Sequence, residues 1–470
     1  MIRLADIQGV PVAVLGLGRS GLSAARALHA SGAEVLAWDE APGRRAEARA
    51  AGVPLADLHA TDFSAVRMLV LAPGIPHDRP QPHPVAAKAR AAGCAIVGDI
   101  ELLGRAAPAA QYIGITGTNG KSTTTALIGH MLAAAGRDTR VGGNLGPPVM
   151  DFAPIDADTA VVLEMSSYQL ERTDSIRFAV TVLLNVTPDH LERHGGLDGY
   201  VAAKKRIFAN QTGDGVAVVG VDDPICCEIA QELRNAGQAT VVPVSGQRAV
   251  PGGVHAANGK LVDDRNGPSQ VVCDLGTVAT LPGRHNAQNA AAAYAAGCAA
   301  GLDARTAAGA ITSFPGLAHR QEIVATQAGV TFINDSKATN GEAALRALTA
   351  HRDVYWIAGG RAKADGLDAT RPGWANVRRA FLIGEAAEPF RSELATDLPA
   401  EICGDLDTAV GAAFKRAREE GARAPVVLLA PACASFDQYP DFEARGDAFK
   451  NAVARLAGET DRELRPGGAA

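Results

Sequence analysis

Three times along this 470-residue chain an apolar run breaks into a glycine turn and re-enters a helical pattern. That alternation predicts an α/β fold with parallel sheets covered by helices, because a strand can lie parallel to its predecessor only after a crossover. The first restart is Val12 to Leu15, a turn at Gly16 to Gly21, a helix to about Ala30, and a strand Glu34 to Trp38 that ends at Asp39. The second is Tyr112 to Thr116, a turn at Gly117 to Lys121, and a helix whose Leu127, Ile128, Met131 and Leu132 share one face and whose stop falls at Gly136. Strands Ala160 to Leu163, Ala179 to Leu184 and Gly215 to Val219 extend that block. Val244 to Gly267 reads as turns and a hairpin, and a strong helix follows over Asn286 to Ala300. A boundary is expected near Phe314 to Leu317. The third block has strands at Val330 to Asn334, Val354 to Ala358, Ala380 to Ile383 and Val426 to Leu429, and the last dozen residues read as a frayed tail. Since one core rarely serves more than ~200 residues, three domains are expected, over 1–106, 107–316 and 317–470.

The second restart carries the most chemistry. Gly117, Thr118, Asn119, Gly120, Lys121, Ser122 and Thr123 stand directly between an apolar strand and an amphipathic helix. Glycines let backbone N–H groups turn toward phosphate oxygens, Lys121 adds a point charge, and Ser122 or Thr123 offers a hydroxyl to Mg²⁺. This predicts an ATP site of variant spacing, with Ile115 standing where the first glycine of the common motif would be. The next strand ends at Glu164, which places a carboxylate beside the crevice at the strands' carboxyl ends and makes it a candidate Mg²⁺ ligand. A further strand delivers Asp189 and His190 to the same edge; an isolated histidine there is more often structural. The first restart, Gly16-Leu-Gly18-Arg-Ser-Gly21 with Asp39 downstream, fits a dinucleotide site, another nucleotide, or a purely structural turn.

Composition narrows the classes. Charged residues at 20%, apolar residues at 47% and a net charge of −6 describe a globular protein with no global positive field, which disfavours nucleic acid as a partner. The seven cysteines contain no Cys-x-x-Cys pair, so a reducing compartment fits, a structural zinc site does not, and each cysteine reads as a small buried hydrophobe. No run approaches the ~20 apolar residues of a membrane span, and the N-terminal apolar run is too short for a signal segment. The protein is expected in the cytoplasm.

Taken together, Gly117-Thr-Asn-Gly-Lys-Ser-Thr123, Glu164-Met-Ser-Ser-Tyr-Gln169, Asn185-Val-Thr-Pro-Asp-His190, Gly283-Arg-His-Asn286 and Asn334-Asp-Ser-Lys-Ala-Thr339 resemble the Mur ligase family. The ordered set spans nearly the whole chain, with the glycine fingerprint at its start and Pro431-Ala-Cys-Ala-Ser-Phe-Asp-Gln438 near its end. The resemblance implies a Rossmann-like N-terminal domain for a UDP group, a central P-loop ATPase domain with a parallel sheet, and a C-terminal Rossmann-like domain that contacts an amino acid. It implies an ATP-dependent ligase that activates a carboxylate as an acyl phosphate, with UDP-N-acetylmuramoyl-L-alanine and D-glutamate as substrates and a monomeric state.

Residue by residue, the resemblance assigns Gly18, Arg19, Ser20, Asp39 and Gly74 to the UDP-sugar. Ser122 and Glu164 would hold one of two Mg²⁺ ions, and His190 with Lys204, carbamylated in the family, the other. Carbamylation would turn a cation that repels Mg²⁺ into an anionic oxygen ligand; without the family, Lys204-Lys-Arg206 reads as a solvated helix face. Asn144 would place the acceptor carboxylate. Asn289, Arg320 and Asp335 match contacts to ATP, Lys337 matches a contact near the phosphoryl groups, and Thr339, Lys363, Ser435 and Phe442 surround the amino acid. Two departures stand out: Ala72 replaces a serine common in the family, and the stretch after Asn340 is short. Another amino-acid-adding member of the family and an NAD-dependent oxidoreductase are the alternative readings.

Overall fold

The computed structural model describes residues 1–362 and 366–463 and forms two compact units, Met1–Phe314 and Pro315–Ala470. The first unit holds two sheets. In the four-stranded sheet the order is Glu34–Trp38, Pro11–Leu15, Met68–Leu71, Ala95–Val97, all parallel. Pro11–Leu15 is flanked on both sides, which is why Val12 to Leu15 are apolar without alternation and fully buried. Its last residue pairs with Trp38 and with Leu71, so the glycine turn emerges between Asp39 and Ala72 at the carboxyl edge.

In the nine-stranded sheet Gln111–Thr116 lies between Ala160–Glu164 and Phe178–Leu183, both parallel to it. Ile115 pairs with Glu164 and Thr116 with Leu183, so three strands end together where the second glycine turn begins. The helices Lys121–Ala134 and Arg284–Ala299 cover this sheet, and Ala290 to Ala296 of the second are buried throughout. Small side chains let that helix sit close to the sheet. The hairpin expected within Val244 to Gly267 is present: Val254–Ala257 and Lys260–Asp263 pair antiparallel across Asn258-Gly259, both at positive φ, as a two-residue hairpin turn requires. Gln270–Asp274 adds a further antiparallel edge.

The second unit has a six-stranded sheet in the order Glu322–Gln327, Val330–Asn334, Val426–Leu429, Val354–Gly359, Val377–Ile383, Ala400–Gly404, parallel except for the first pair. Asn334 pairs with Leu429, so the segments after each lie side by side. The final helix, Phe442–Glu463, corrects the first part of the expected tail: helical backbone continues through 459–463, anchored upstream by buried Phe449, Ala452 and Val453, and the rest of that stretch lies outside the described residues. Of the cysteines, Cys94, Cys226 and Cys433 are buried and the other four only partly so, which softens the expectation that all are core residues. Among the described residues no helix is long and apolar enough to cross a membrane.

Candidate active site

The central glycine turn is a backbone cradle held open by its neighbours. Gly120 caps the following helix at φ 84°, and a Cβ there would meet Asn289 Oδ1 at 2.2 Å, so glycine is required both by conformation and by space. Asn289, in turn, donates to Asn286 Oδ1 at 3.0 Å. Asn185, at the end of the neighbouring strand, takes the Asn119 N–H on its Oδ1 at 2.8 Å and the Thr118 N–H on its backbone oxygen at 2.9 Å. Thr118 Oγ1 lies 3.1 Å from Tyr200 Oη.

Two lysines converge on this turn. Lys121 Nζ donates to the carbonyls of Gly117 and Thr118, each at 2.9 Å, and Lys204 Nζ donates to the same Gly117 carbonyl at 2.8 Å. Lys204 is only 1% exposed and stands one helical turn after Tyr200, whose ring centroid is 4.5 Å from its ammonium. Burial, reinforced by the positive charge of Lys121, pulls the Lys204 amine down to about 7. A substantial share of this amine is therefore unprotonated near neutrality.

Glu164 supplies the acidic counterpart. It is 2% exposed; Oε1 accepts from Asn144 Nδ2 at 2.8 Å, while Oε2 is buried with no hydrogen-bond partner. An orphaned buried carboxylate oxygen beside a phosphate-type turn is what a cation ligand looks like before the cation arrives. Gly143 lets the Asn144 segment pass close to the Glu164 backbone, since a Cβ on it would lie 2.3 Å from the Glu164 carbonyl oxygen, which accepts the Asn144 N–H at 2.9 Å. Ser122 is buried in the first turn of the helix, and Thr123 follows it there. His190 adopts a left-handed backbone at φ 51°, keeps its side chain 51% exposed, and sets its ring 5.2 Å from that of Tyr168.

A cavity of about 330 Å³ lies in the same unit, lined by His77, Asp78, Arg79, Glu171, Arg193 and His194 among others. No sequence motif marks this group or Tyr200. One signal was available: the four-residue spacing of Tyr200 and Lys204 within a helix.

The first glycine turn uses its glycines differently. A Cβ at Gly21 would sit 1.8 Å from the Gly16 carbonyl oxygen, and one at Gly16 would strike Ala72 and Ile75 at 2.7 Å. Gly18 and Gly74 have open space around them. Asp39 accepts the Leu17 N–H on Oδ2 at 2.6 Å and the Ala41 N–H on Oδ1 at 2.8 Å. Arg19 reaches the Gly146 carbonyl at 3.2 Å, and Ser20 lies in the first turn of the helix. Buried Arg172 donates to the carbonyls of Leu71, Ala72 and Pro73, fixing the loop that carries Gly74.

Arg320, Asp335, Lys337, Thr339, Ser435 and Phe442 belong to the second unit. Burial pushes the Asp335 carboxyl up to about 7 against the opposing pull of the nearby Arg320 cation. Lys337 places its ammonium 4.0 Å from the centroid of the Phe442 ring. Ser336 donates to the Phe442 carbonyl, and Arg445 ties Ser336 to the Cys433 carbonyl. Thr339 donates its N–H to the Lys337 carbonyl at 2.7 Å, and Ser435 is buried in the adjoining turn. Lys363 lies outside the described residues.

These features meet a family with the same architecture. Residues 115–297 match the Mur ligase middle domain and residues 319–433 the Mur ligase glutamate ligase domain. The chain belongs to the Mur ligase family, whose members are ATP-dependent amide-forming ligases. It is 51% identical over 462 residues to a UDP-N-acetylmuramoylalanine--D-glutamate ligase of Caulobacter sp. (strain K31), covering 97% of this chain and 98% of that one. It is 50% identical over 474 residues to the protein of the same name from Rhodospirillum rubrum, covering 100% and 99%. Among solved structures, the UDP-N-acetylmuramate-alanine ligase of Thermotoga maritima shares the fold with a TM-score of 0.58 at 18% identity, over 96% of this chain and 99% of that one.

Proposed function

We propose that this chain joins D-glutamate to UDP-N-acetylmuramoyl-L-alanine at the expense of ATP, releasing ADP and phosphate. The observation that carries the reading is the convergence of Lys121 and Lys204 on the Gly117 carbonyl, one strand away from a buried, unpartnered oxygen of Glu164. Near-half identity to ligases of that name along the full length supports the choice of substrates.

An oxygen of the acceptor's alanine carboxylate attacks the terminal phosphorus of ATP, and the bond to the bridging oxygen breaks as ADP leaves. The amine of glutamate then attacks the acyl carbon. The nitrogen loses a proton, the carbon–oxygen bond to phosphate breaks, and an amide remains. Lys121 neutralises charge on the phosphoryl oxygens, since phosphoryl transfer depends chiefly on placement and electrostatics. Asn144, already bonded to Glu164, is placed to steer the acceptor carboxylate.

Glu164 and Ser122 would hold one Mg²⁺, and His190 with Lys204 a second. The chemistry such ions supply when bound is neutralisation of the phosphate oxygens. For Lys204 we propose carbamylation: its unprotonated amine adds to CO₂, the nitrogen loses a proton, and an anionic oxygen replaces a buried cation. The depressed proton affinity of this amine supports that reaction. Gly18, Arg19, Ser20, Asp39 and Gly74 are assigned to the UDP-sugar, and Gly117 to Thr123, Asn289, Arg320 and Asp335 to ATP. Lys337 is assigned to the phosphoryl groups, and Thr339, Lys363, Ser435 and Phe442 to the glutamate. We propose domains at 1–106, 107–316 and 317–470 for the acceptor, ATP and amino acid respectively.

The test is ADP release measured with the UDP-muramoyl-alanine acceptor and a panel of amino acids. D-glutamate alone should support turnover. Equal turnover with other amino acids, or none with D-glutamate, would refute the substrate assignment.

A further inference from the structure

His194 belongs to no sequence motif, yet it sits at a crossing of contacts. Its Nδ1 lies 2.9 Å from Glu171 Oε1 and its Nε2 3.0 Å from Ser167 Oγ. A carboxylate can only accept, so Nδ1 carries the proton, and Nε2 then accepts from the Ser167 hydroxyl. The other oxygen of Glu171, Oε2, lies 3.7 Å from the Arg193 guanidinium. Burial also lowers the proton affinity of His194, which keeps the ring neutral with a lone pair free for Ser167.

The faces of this locked ring touch two tyrosines. His194 stacks on Tyr168 at 5.5 Å and 23°, and lies 5.4 Å from Tyr200 at 48°. Tyr168 is the ring beside His190, and Tyr200 carries both the Thr118 hydroxyl contact and the Lys204 ammonium. We propose that His194, clamped between Glu171 and Ser167, is a positioning residue for the ligase centre: it sets Tyr168 and Tyr200, and through them the placement of His190 and Lys204. The role in turnover rests on the reading of that centre given above. A benzene ring at 194 would preserve an aromatic face for the tyrosines but lose both anchors, leaving the buried Ser167 hydroxyl without its acceptor and Glu171 without the donor on its Oε1.

The experiment uses the full chain and compares His194→Phe and His194→Gln with the parent. Two readouts are taken: kcat and KM for ATP from ADP release, and the imidazole resonances of His190 by ¹⁵N NMR in protein without nucleotide or metal. For His194→Phe we expect kcat to fall about 10- to 100-fold, KM for ATP to stay within about threefold, and the His190 resonances to shift. His194→Gln, which can still bond to both anchors but lacks the ring, should shift His190 as well. Either variant with unchanged kcat and an unmoved His190 signal would overturn the proposal, as would a loss of kcat matched by an equal loss of folded protein. The NMR readout needs no substrate, so it tests positioning even if the parent releases no ADP, an outcome that would count against the ligase reading alone.

Discussion

The chain contains the same local device twice, a strand, a glycine turn and a helix, and the two copies do different things with it. At Gly16 to Gly21 the glycines serve packing: Gly21 lets the helix touch the Gly16 carbonyl, Gly16 lets the turn touch Ala72 and Ile75, and a carboxylate, Asp39, takes the Leu17 N–H. At Gly117 to Lys121 the glycines serve access. Gly120 makes room for Asn289, and two lysines rather than a carboxylate crowd one carbonyl of the turn. Glycine spacing therefore specifies a sharp turn with inward N–H groups, and the charge next to it decides which anion, if any, the turn can hold.

The largest effect should come from stripping charge from the second turn alone. Lys121→Ala should lower acceptor-dependent ADP release by at least about 10³-fold, roughly 4 kcal/mol of transition-state stabilisation, while the UDP-sugar binding proposed for the first turn should be kept. Binding of that acceptor measured by calorimetry should be nearly unchanged; if both activities were lost together, the division of labour between the turns would be wrong.

Lys204 gives the next effect, seen as pH dependence of stability. An unfolded lysine keeps its proton up to about 10.5, whereas folded Lys204 releases it near 7. Between those values the unfolded chain binds more protons, so stability rises with pH across that window, by on the order of a few kcal/mol. Below it, the full cost of burying the cation is felt. Replacing Lys204 with Met should remove that rise; denaturation midpoints of parent and variant, measured from pH 7 to 10 in CO₂-free buffer, should therefore diverge. Parallel curves would mean that the second turn is not backed by a strained cation.

How far the two turns could be read from sequence follows from the same physics. Strands with parallel neighbours on both sides have apolar centres, Val12 to Leu15 in one and Tyr112 to Ile115 in the other, and the positive-φ corners that follow them are glycine at 16, 117 and 120, so both turns were legible. Most edge strands were not, although Glu34–Trp38 at the edge of the first sheet was. Thr139–Gly143, Glu322–Gln327 and Ala400–Gly404 are only partly buried and carry polar residues, and their pairing is decided by neighbours far away in the chain. Within the site, Lys121 and Glu164 were legible because each directly follows a strand or its turn. Lys204 was legible only through family resemblance, since Lys204-Lys-Arg206 reads as a solvated face, whereas the structure buries Lys204 and leaves Lys205 to pair with exposed Glu232. The clamp on His194 left no local trace, because its partners lie 23 and 27 residues away.

Smaller effects come from the first turn. Gly21→Ala would force a methyl group to 1.8 Å from the Gly16 carbonyl oxygen, and the helix must shift to relieve it. This should cost about 2–3 kcal/mol of stability in the N-terminal sheet and raise the acceptor's KM while leaving that for ATP within about twofold. Equal changes in both constants would show that the two turns are mechanically coupled.

Asp39→Asn should be the mildest of these and separates the cap from any ligand role. The amide keeps one acceptor oxygen, so one of the N–H groups of Leu17 and Ala41 loses its partner and faces an amide nitrogen instead. A single lost bond of this kind, charge-assisted but partly exposed, is worth about 1 kcal/mol. If Asp39 only braces the turn, the denaturation midpoint should fall slightly and the acceptor's KM should rise by no more than that free energy allows, about fivefold. A larger rise in KM at unchanged stability would show that the carboxylate also meets the UDP-sugar, and would make the first turn a binding device whose acid does two jobs.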